Sequence, residues 1–77
     1  METITQVKNY LRSSGYSKFI SYESPYSVAV LDLTLSDLPT GWRVYDTERG
    51  HEVATHLVTP DASAAIGLFL QMVSARR

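Results

Sequence analysis

The side chains of this sequence that could do chemistry are two histidines and a few carboxylates around one predicted hairpin. His51 and His56 lie five positions apart in a predicted strand, and an odd spacing places them on opposite faces. We therefore do not expect them to share a metal ion. Glu48 and Glu52 flank the hairpin tip, but nothing in the sequence orders them against a pocket. We interpret both as solvent-exposed charges.

The motifs of covalent catalysis and phosphate binding are missing from the sequence. No serine lies in a G-x-S-x-G or S-x-x-K setting, and no glycine-rich phosphate loop is present. The chain has no cysteine, which excludes disulfides, thiolate metal sites and cysteine nucleophiles. A sheet this small is also expected to leave little room for a ligand pocket. The sequence thus predicts a non-enzymatic protein without catalytic residues, metal or cofactor.

Length and composition indicate one small folded domain. The 77 residues are 44% hydrophobic and carry a net charge of −1, which is typical of a globular chain and is unlike a basic nucleic-acid binder. The N-terminal residues are polar, and the longest apolar stretch, 62–73, is well short of the roughly twenty residues of a membrane span. We expect a single domain, 1–77, in the cytoplasm, without membrane contact.

Turn signals divide the chain into six predicted elements, with a helix at each end and four strands between them. Thr3 and Gln6 have capping-box spacing at the start of the first helix, and Gly15 follows its last turn. The stretch Thr59-Pro60-Asp61 is typical of a helix start, with Thr59 as the cap and Pro60 in the first turn. The predicted helices are 3–14 and 60–74, and the predicted strands are 17–23, 27–35, 42–46 and 51–58.

This order, α-β-β-β-β-α, predicts an α+β fold. The simplest packing is an antiparallel sheet with two helices packed on one face. Such a sheet leaves its second face open to water or to a partner. Arg76 and Arg77 at the end of the second helix would favour the negative pole of its dipole.

Charge is unevenly spread along the sequence. Acidic residues prevail in the middle of the chain, between two weakly basic ends. One interpretation is solubility, and the other is a protein partner with a basic surface, whose approach an acidic sheet would steer.

Apolar and aromatic side chains exceed the needs of so small a core. On the second helix, Leu68 and Met72 lie beside the predicted core stripe. Either the first helix covers them or they form the contact of a homodimer. Of the five tyrosines, Tyr22, Tyr26 and Tyr45 lie on or beside strands and could line the open face, although packing in the core or at its rim is the alternative.

The stretch Gly41 to Val73 resembles the C-terminal part of small bacterial immunity proteins found beside polymorphic toxins. The shared pattern is a strand with a tryptophan, an E-R-G hairpin tip, a second strand and a capped helix with aromatic and leucine core positions. The matching residues are Trp42, Val44, Tyr45, Glu48, Arg49, Gly50, Thr59, Asp61, Ala65, Phe69 and Leu70. The resemblance implies a non-enzymatic protein that occludes a cognate toxin.

The sequence therefore favours a protein-binding inhibitor or immunity protein whose contact surface is the open sheet face and its loops. A homo-oligomeric regulatory or accessory subunit, joined through Leu68 and Met72, is an alternative. A nucleic-acid-binding domain of the double-stranded-RNA-binding type is a third, which the unclustered basic residues disfavour. The predicted partner-binding residues are Tyr22, Tyr26, Arg43, Tyr45, Asp46, Glu48 and Arg49.

Overall fold

The computed structural model describes residues 1–76, which form two α-helices on one face of a five-stranded antiparallel sheet. The strands lie in the order β1-β2-β3-β4-β5, so each pairs with its neighbour in the chain. This confirms the predicted α+β class. The elements are α1 (Ile4–Ser13), a 3₁₀ turn (Ser17–Phe19), β1 (Ile20–Ser24), β2 (Ser27–Val30), β3 (Leu33–Leu38), β4 (Gly41–Glu48), β5 (His51–Thr59) and α2 (Ala62–Arg76).

The sheet has five strands where the sequence predicted four, because a turn at Leu31-Asp32 divides the predicted strand 27–35. Val30 pairs with Leu33 across this turn. Paired residues of antiparallel strands lie on the same face, whereas positions 30 and 33 of one continuous strand would lie on opposite faces. The turn therefore gathers the large aliphatic side chains of both strands on the helix-covered face: Val28, Val30, Leu33 and Leu35.

The hydrophobic core lies between this covered face and the two helices. Phe69 of α2 and Leu11 of α1 are among its largest fully buried side chains. Trp42 and Val44 of β4 complete the sheet side, as their alternation predicted. One core thus fixes both helices against the same face and leaves the other face without a helix.

The boundaries of α1 follow the predicted signals. The Thr3 hydroxyl accepts from the Gln6 N–H at 3.2 Å, and the Gln6 side chain accepts from the Thr3 N–H at 3.2 Å. At the other end Gly15 has φ 86°, and the Tyr16 N–H donates to the Leu11 carbonyl at 2.9 Å. This is the pattern of a glycine-terminated helix.

The start of α2 lies two residues later than predicted, because Asp61 rather than Thr59 is the cap. The Asp61 carboxylate accepts from the Ser63 N–H at 3.0 Å. The Thr59 hydroxyl instead accepts from the Asp61 N–H at 3.1 Å, which fixes the turn before the helix. Pro60 lies outside the helix, and Arg77 lies outside the described residues.

The two residues predicted to join copies of the chain have different environments. Met72 packs against the core. Leu68 is half-buried and is not part of that cluster. Met72 therefore contributes to the core, and the contact between copies through Leu68 and Met72 stays a prediction. Within residues 1–76, neither helix has both the length and the apolar character that a bilayer crossing requires.

Candidate functional site

The face of the sheet that carries no helix is built from small side chains between large ones. Cross-strand pairing places Tyr22, Ala29, Thr34 and Tyr45 in one row across β1 to β4. Because paired residues share a face, this row crosses the helix-free face. Two residues with short side chains, Ala29 and Thr34, thus separate two tyrosines.

This arrangement forms a concave groove of about 690 Å³, called the groove below. Its floor consists of Ser27, Ala29, Thr34 and Ser36, none more than 8% exposed although no helix covers them. Long side chains must therefore rise above the floor on several sides. The volume falls in the range of ligand pockets, so the expectation that the chain is too small for one is wrong. Leu31 and Leu38 are among the aliphatic residues of the lining.

Tyrosines form the rim of the groove. Tyr22 and Tyr26 are 59% and 63% exposed, which leaves their rings accessible to a partner. Tyr45 behaves differently: its hydroxyl lies 3.0 Å from the Ser36 hydroxyl, and its ring is half-buried. The Asp37 N–H donates to the Tyr26 carbonyl at 2.8 Å and so ties the turn that carries Tyr26 to β3.

Two hairpin turns close one end of the groove, and the first of them is hydrogen-bonded to β4, the strand that leads into the second. The Thr47 N–H and hydroxyl both donate to the Asp32 carbonyl, at 2.7 and 3.2 Å. Leu31 in the first turn and Arg49 in the second line the groove. Gly50 completes the second turn with the positive φ that the sequence predicted, 83°.

Arg43 and Glu52 lie on the helix-free face beside the groove. Arg43 is paired with Ser36, and Glu52 with Thr47, both groove residues. The Arg43 guanidinium donates to both Glu52 carboxylate oxygens, at 2.9 and 3.1 Å, and the Thr55 hydroxyl donates to the same carboxylate. The Thr55 hydrogen bond, followed by the Arg43 guanidinium, holds the pKa of Glu52 below its ordinary value. Arg43 is thus already bound within the chain.

Asp46 was predicted to lie on the open face, and this placement is wrong. It pairs with Leu33, a core residue, and so lies on the helix-covered face. Its Oδ1 lies 2.9 Å from Arg76 Nη2, and its Oδ2 lies 2.9 Å from His56 Nε2. The alternation that directs Trp42 inward extends to position 46, so the sequence contained the signal that excludes Asp46 from the open face.

Arginines neutralise much of the acidic middle of the sequence within the fold. Among the described residues, the ion pairs of arginines with carboxylates are Arg12–Glu23, Arg43–Glu52, Arg76–Asp32 and Arg76–Asp46. The charge asymmetry along the sequence is therefore a weak guide to a partner. In the groove lining, the Asp32 carboxylate accepts from Arg76 at 2.6 Å, whereas Arg49 forms no ion pair with any residue of 1–76.

The predicted partner-binding residues are thus only partly brought together. The groove lining contains four of them, Tyr22, Tyr26, Tyr45 and Arg49. Glu48 is exposed at the end of β4 and does not line the groove.

Sequence reasoning missed the floor residues and Leu31, because the turn that places them was not predicted. The lining offers aromatic rings, hydroxyls and aliphatic groups, with one carboxylate and one guanidinium. Within the described residues no three histidine, aspartate or glutamate side chains converge as metal ligands. The groove is therefore equipped for stacking and hydrogen bonding. Comparison of the chain with protein-family models, curated proteins and solved structures finds no match in any of the three.

Proposed function

We propose that this chain is a non-enzymatic binding module that blocks a partner protein, in the manner of an inhibitor or immunity protein, by holding a protruding segment of the partner in the groove. The observation that carries this proposal is the burial of the floor. Ser27, Ala29, Thr34 and Ser36 are at most 8% exposed on a face without a helix, so the surface is concave. A concave surface fits a protruding segment better than a flat surface does.

The rim side chains are of the type that carries binding energy in protein interfaces. Tyr22 and Tyr26 each combine a large ring with a polar tip, and both are more than half exposed. Such residues provide contact area at a low cost in side-chain entropy, and a few of them dominate many interfaces. The partner's segment would cover these rings and lose little of its own hydrogen bonding, because the floor presents hydroxyl groups.

The groove is better suited to binding a segment of a partner than to catalysing proton transfer. Its one lining carboxylate, Asp32, is bound to Arg76, and a general base needs a carboxylate free to approach its substrate. The resemblance to toxin-associated immunity proteins agrees with this proposal, because Tyr45 and Arg49 belong both to the matching pattern and to the groove lining.

Capture by crosslinking in the native host tests the proposal. Three versions of the chain are compared: the unmodified protein, the double variant Tyr22→Ala/Tyr26→Ala, and Tyr10→Ala. Tyr10 is a matched control, because it is also exposed, at 43%, but lies on α1. We expect one protein to be crosslinked by the unmodified chain and by Tyr10→Ala and to be lost with the double variant.

Three results would contradict the proposal. One is capture of the same protein at equal yield by all three versions, which would place the contact elsewhere. A second is recovery of no protein at all. The third is a double variant that has lost its near-ultraviolet and far-ultraviolet circular dichroism, because the two tyrosines would then serve the fold.

A further inference from the structure

Backbone strain is concentrated at one end of the groove. Among residues 1–76, the residues other than glycine with a positive φ are Leu31, at 57°, and Arg49, at 53°. Both line the groove at the end closed by the two hairpin turns. Side chains other than glycine, asparagine and aspartate rarely adopt this conformation, because the Cβ atom crowds the following carbonyl.

The backbone conformation of these turns does not require leucine at position 31 or arginine at position 49. The turn Arg49-Gly50 has a positive φ at both positions, a conformation for which Asn-Gly is the preferred sequence. Leu31 is a branched aliphatic residue that is 49% exposed at a turn, so burial explains its identity only in part. Strained residues of this kind cluster at binding sites, where the side chain has a use that offsets the strain.

The two strained residues are held in a fixed relation to each other. The hydrogen bonds from Thr47 to the Asp32 carbonyl join the first turn to β4, two residues before Arg49. The Leu31 N–H donates to the Phe19 carbonyl at 3.0 Å, and the Leu31 carbonyl accepts from the Ser21 hydroxyl at 2.7 Å. A binding surface that is fixed in advance loses less entropy when it binds.

The chemistry of this end of the groove is a cation beside an apolar group. Arg49 forms no ion pair within residues 1–76, and the neighbouring Asp32 carboxylate is neutralised by Arg76. A guanidinium binds a carboxylate through two parallel hydrogen bonds, which gives direction as well as affinity.

We infer that Leu31 and Arg49 recognise a segment of the partner protein in which an apolar side chain lies next to an aspartate or glutamate. This inference rests on the proposed function and specifies what enters the groove. It also reverses the charge expected from the sequence: the partner's contacting segment is acidic, whereas the acidic middle of the chain suggested a basic one.

Selection from a phage-displayed library of random twelve-residue peptides tests the inference. The immobilised full chain is compared with the variants Arg49→Asn, Arg49→Glu and Tyr22→Ala, with Arg12→Asn as the matched control on α1. We expect the unmodified chain to enrich peptides with Asp or Glu beside an apolar residue. Affinity for the best peptide should fall about 10- to 100-fold in Arg49→Asn, the loss typical of one charged hydrogen-bonding partner, and should be unchanged in Arg12→Asn.

The same variant tests the strain argument. Arg49→Asn creates an Asn-Gly turn, so its melting temperature should rise by several degrees while its affinity falls. A merely structural role for Arg49 would lower both quantities together. In Arg49→Glu, selection should shift from acidic to basic peptides.

The outcomes separate this inference from the proposed function. Peptides that need Tyr22 but show no acidic preference, or that bind Arg49→Asn equally well, would overturn the inference and leave the proposed function standing. Failure to enrich any peptide that depends on Tyr22 would overturn both. A lower melting temperature in Arg49→Asn would remove the strain on which the inference depends.

Discussion

Glu52 offers a test of the electrostatics of the helix-free face. Hydrogen bonds from Thr55 and Arg43 lower its pKa from the ordinary 4.5. The folded state therefore favours the carboxylate, and its contribution to stability is complete above pH 4.5 and is lost as the pH falls through the lowered pKa. We expect Thr55→Val to raise the Glu52 midpoint in an NMR titration of side-chain carboxyl carbons. Thr5→Val, on α1, is the control, and an equal shift in both variants would contradict this assignment.

The ion pairs of Arg76 and Arg12 should contribute differently to the free energy of unfolding. The Arg76 side chain is 29% exposed and forms ion pairs with Asp32, which is 62% exposed, and with Asp46, which is 18% exposed, so two ion pairs connect α2 to the sheet. We expect Arg76→Met to lower the free energy of unfolding by about 1–2 kcal/mol in urea titrations. Arg12 pairs with Glu23 in an exposed position, and Arg12→Met should cost about 0.5 kcal/mol or less. Equal losses would show that burial does not set the strength of these pairs.

At the scale of the elements, two glycines should respond in opposite ways to alanine. Gly41 begins β4 with φ 127°, and an added Cβ would lie 3.3 Å from the Thr59 carbonyl oxygen. We expect Gly41→Ala to cost about 1–3 kcal/mol. Gly67 lies in α2 with open space around it, and Gly67→Ala should stabilise the chain by about 0.5–1 kcal/mol. Thermal unfolding of both variants measures the contrast; a stabilising Gly41→Ala would refute the close approach of β4 to Thr59.

The elements that the sequence predicted well are those with local signals. The capping box at Thr3 and the glycines at positions 15 and 50 act within a few residues, and the structure has them as expected. The turn at Leu31-Asp32 lacks a clear signal, because its first position has a positive φ and carries leucine where glycine, asparagine or aspartate is typical. The position of this turn is determined instead by the burial of aliphatic side chains on one face of the sheet. That is a property of the packed sheet and not of the turn.

The groove was harder to predict than the fold for the same reason. Its floor depends on which face Ala29 and Thr34 occupy, and that depends on the undetected turn. Its depth depends on how the sheet curves, which a strand pattern does not give. The tyrosines were identified by residue type alone, and two of them, Tyr22 and Tyr26, are accessible as expected.

At the scale of the whole molecule, substitutions on the covered face of the sheet should lower stability, whereas substitutions in the groove should affect binding. Val28 is fully buried on the covered face, and its neighbour Ala29 lies in the groove. We expect Val28→Ala to cost about 2 kcal/mol through lost burial and a cavity. Ala29→Leu should change stability by less than about 1 kcal/mol, since the groove has room for it, yet it should abolish binding of groove peptides. Urea unfolding and peptide affinity measure the two effects; a strongly destabilised Ala29→Leu would show that the floor belongs to the core.

The order of the strands has a kinetic consequence. Each strand pairs with the next one along the chain, and the four connections each contain two residues outside the pairing. Closing such short loops costs little chain entropy, so the sheet can form one hairpin at a time. Proteins dominated by contacts between near neighbours in sequence fold fast. A binding protein with this topology would be ready for its partner within a very short time after leaving the ribosome.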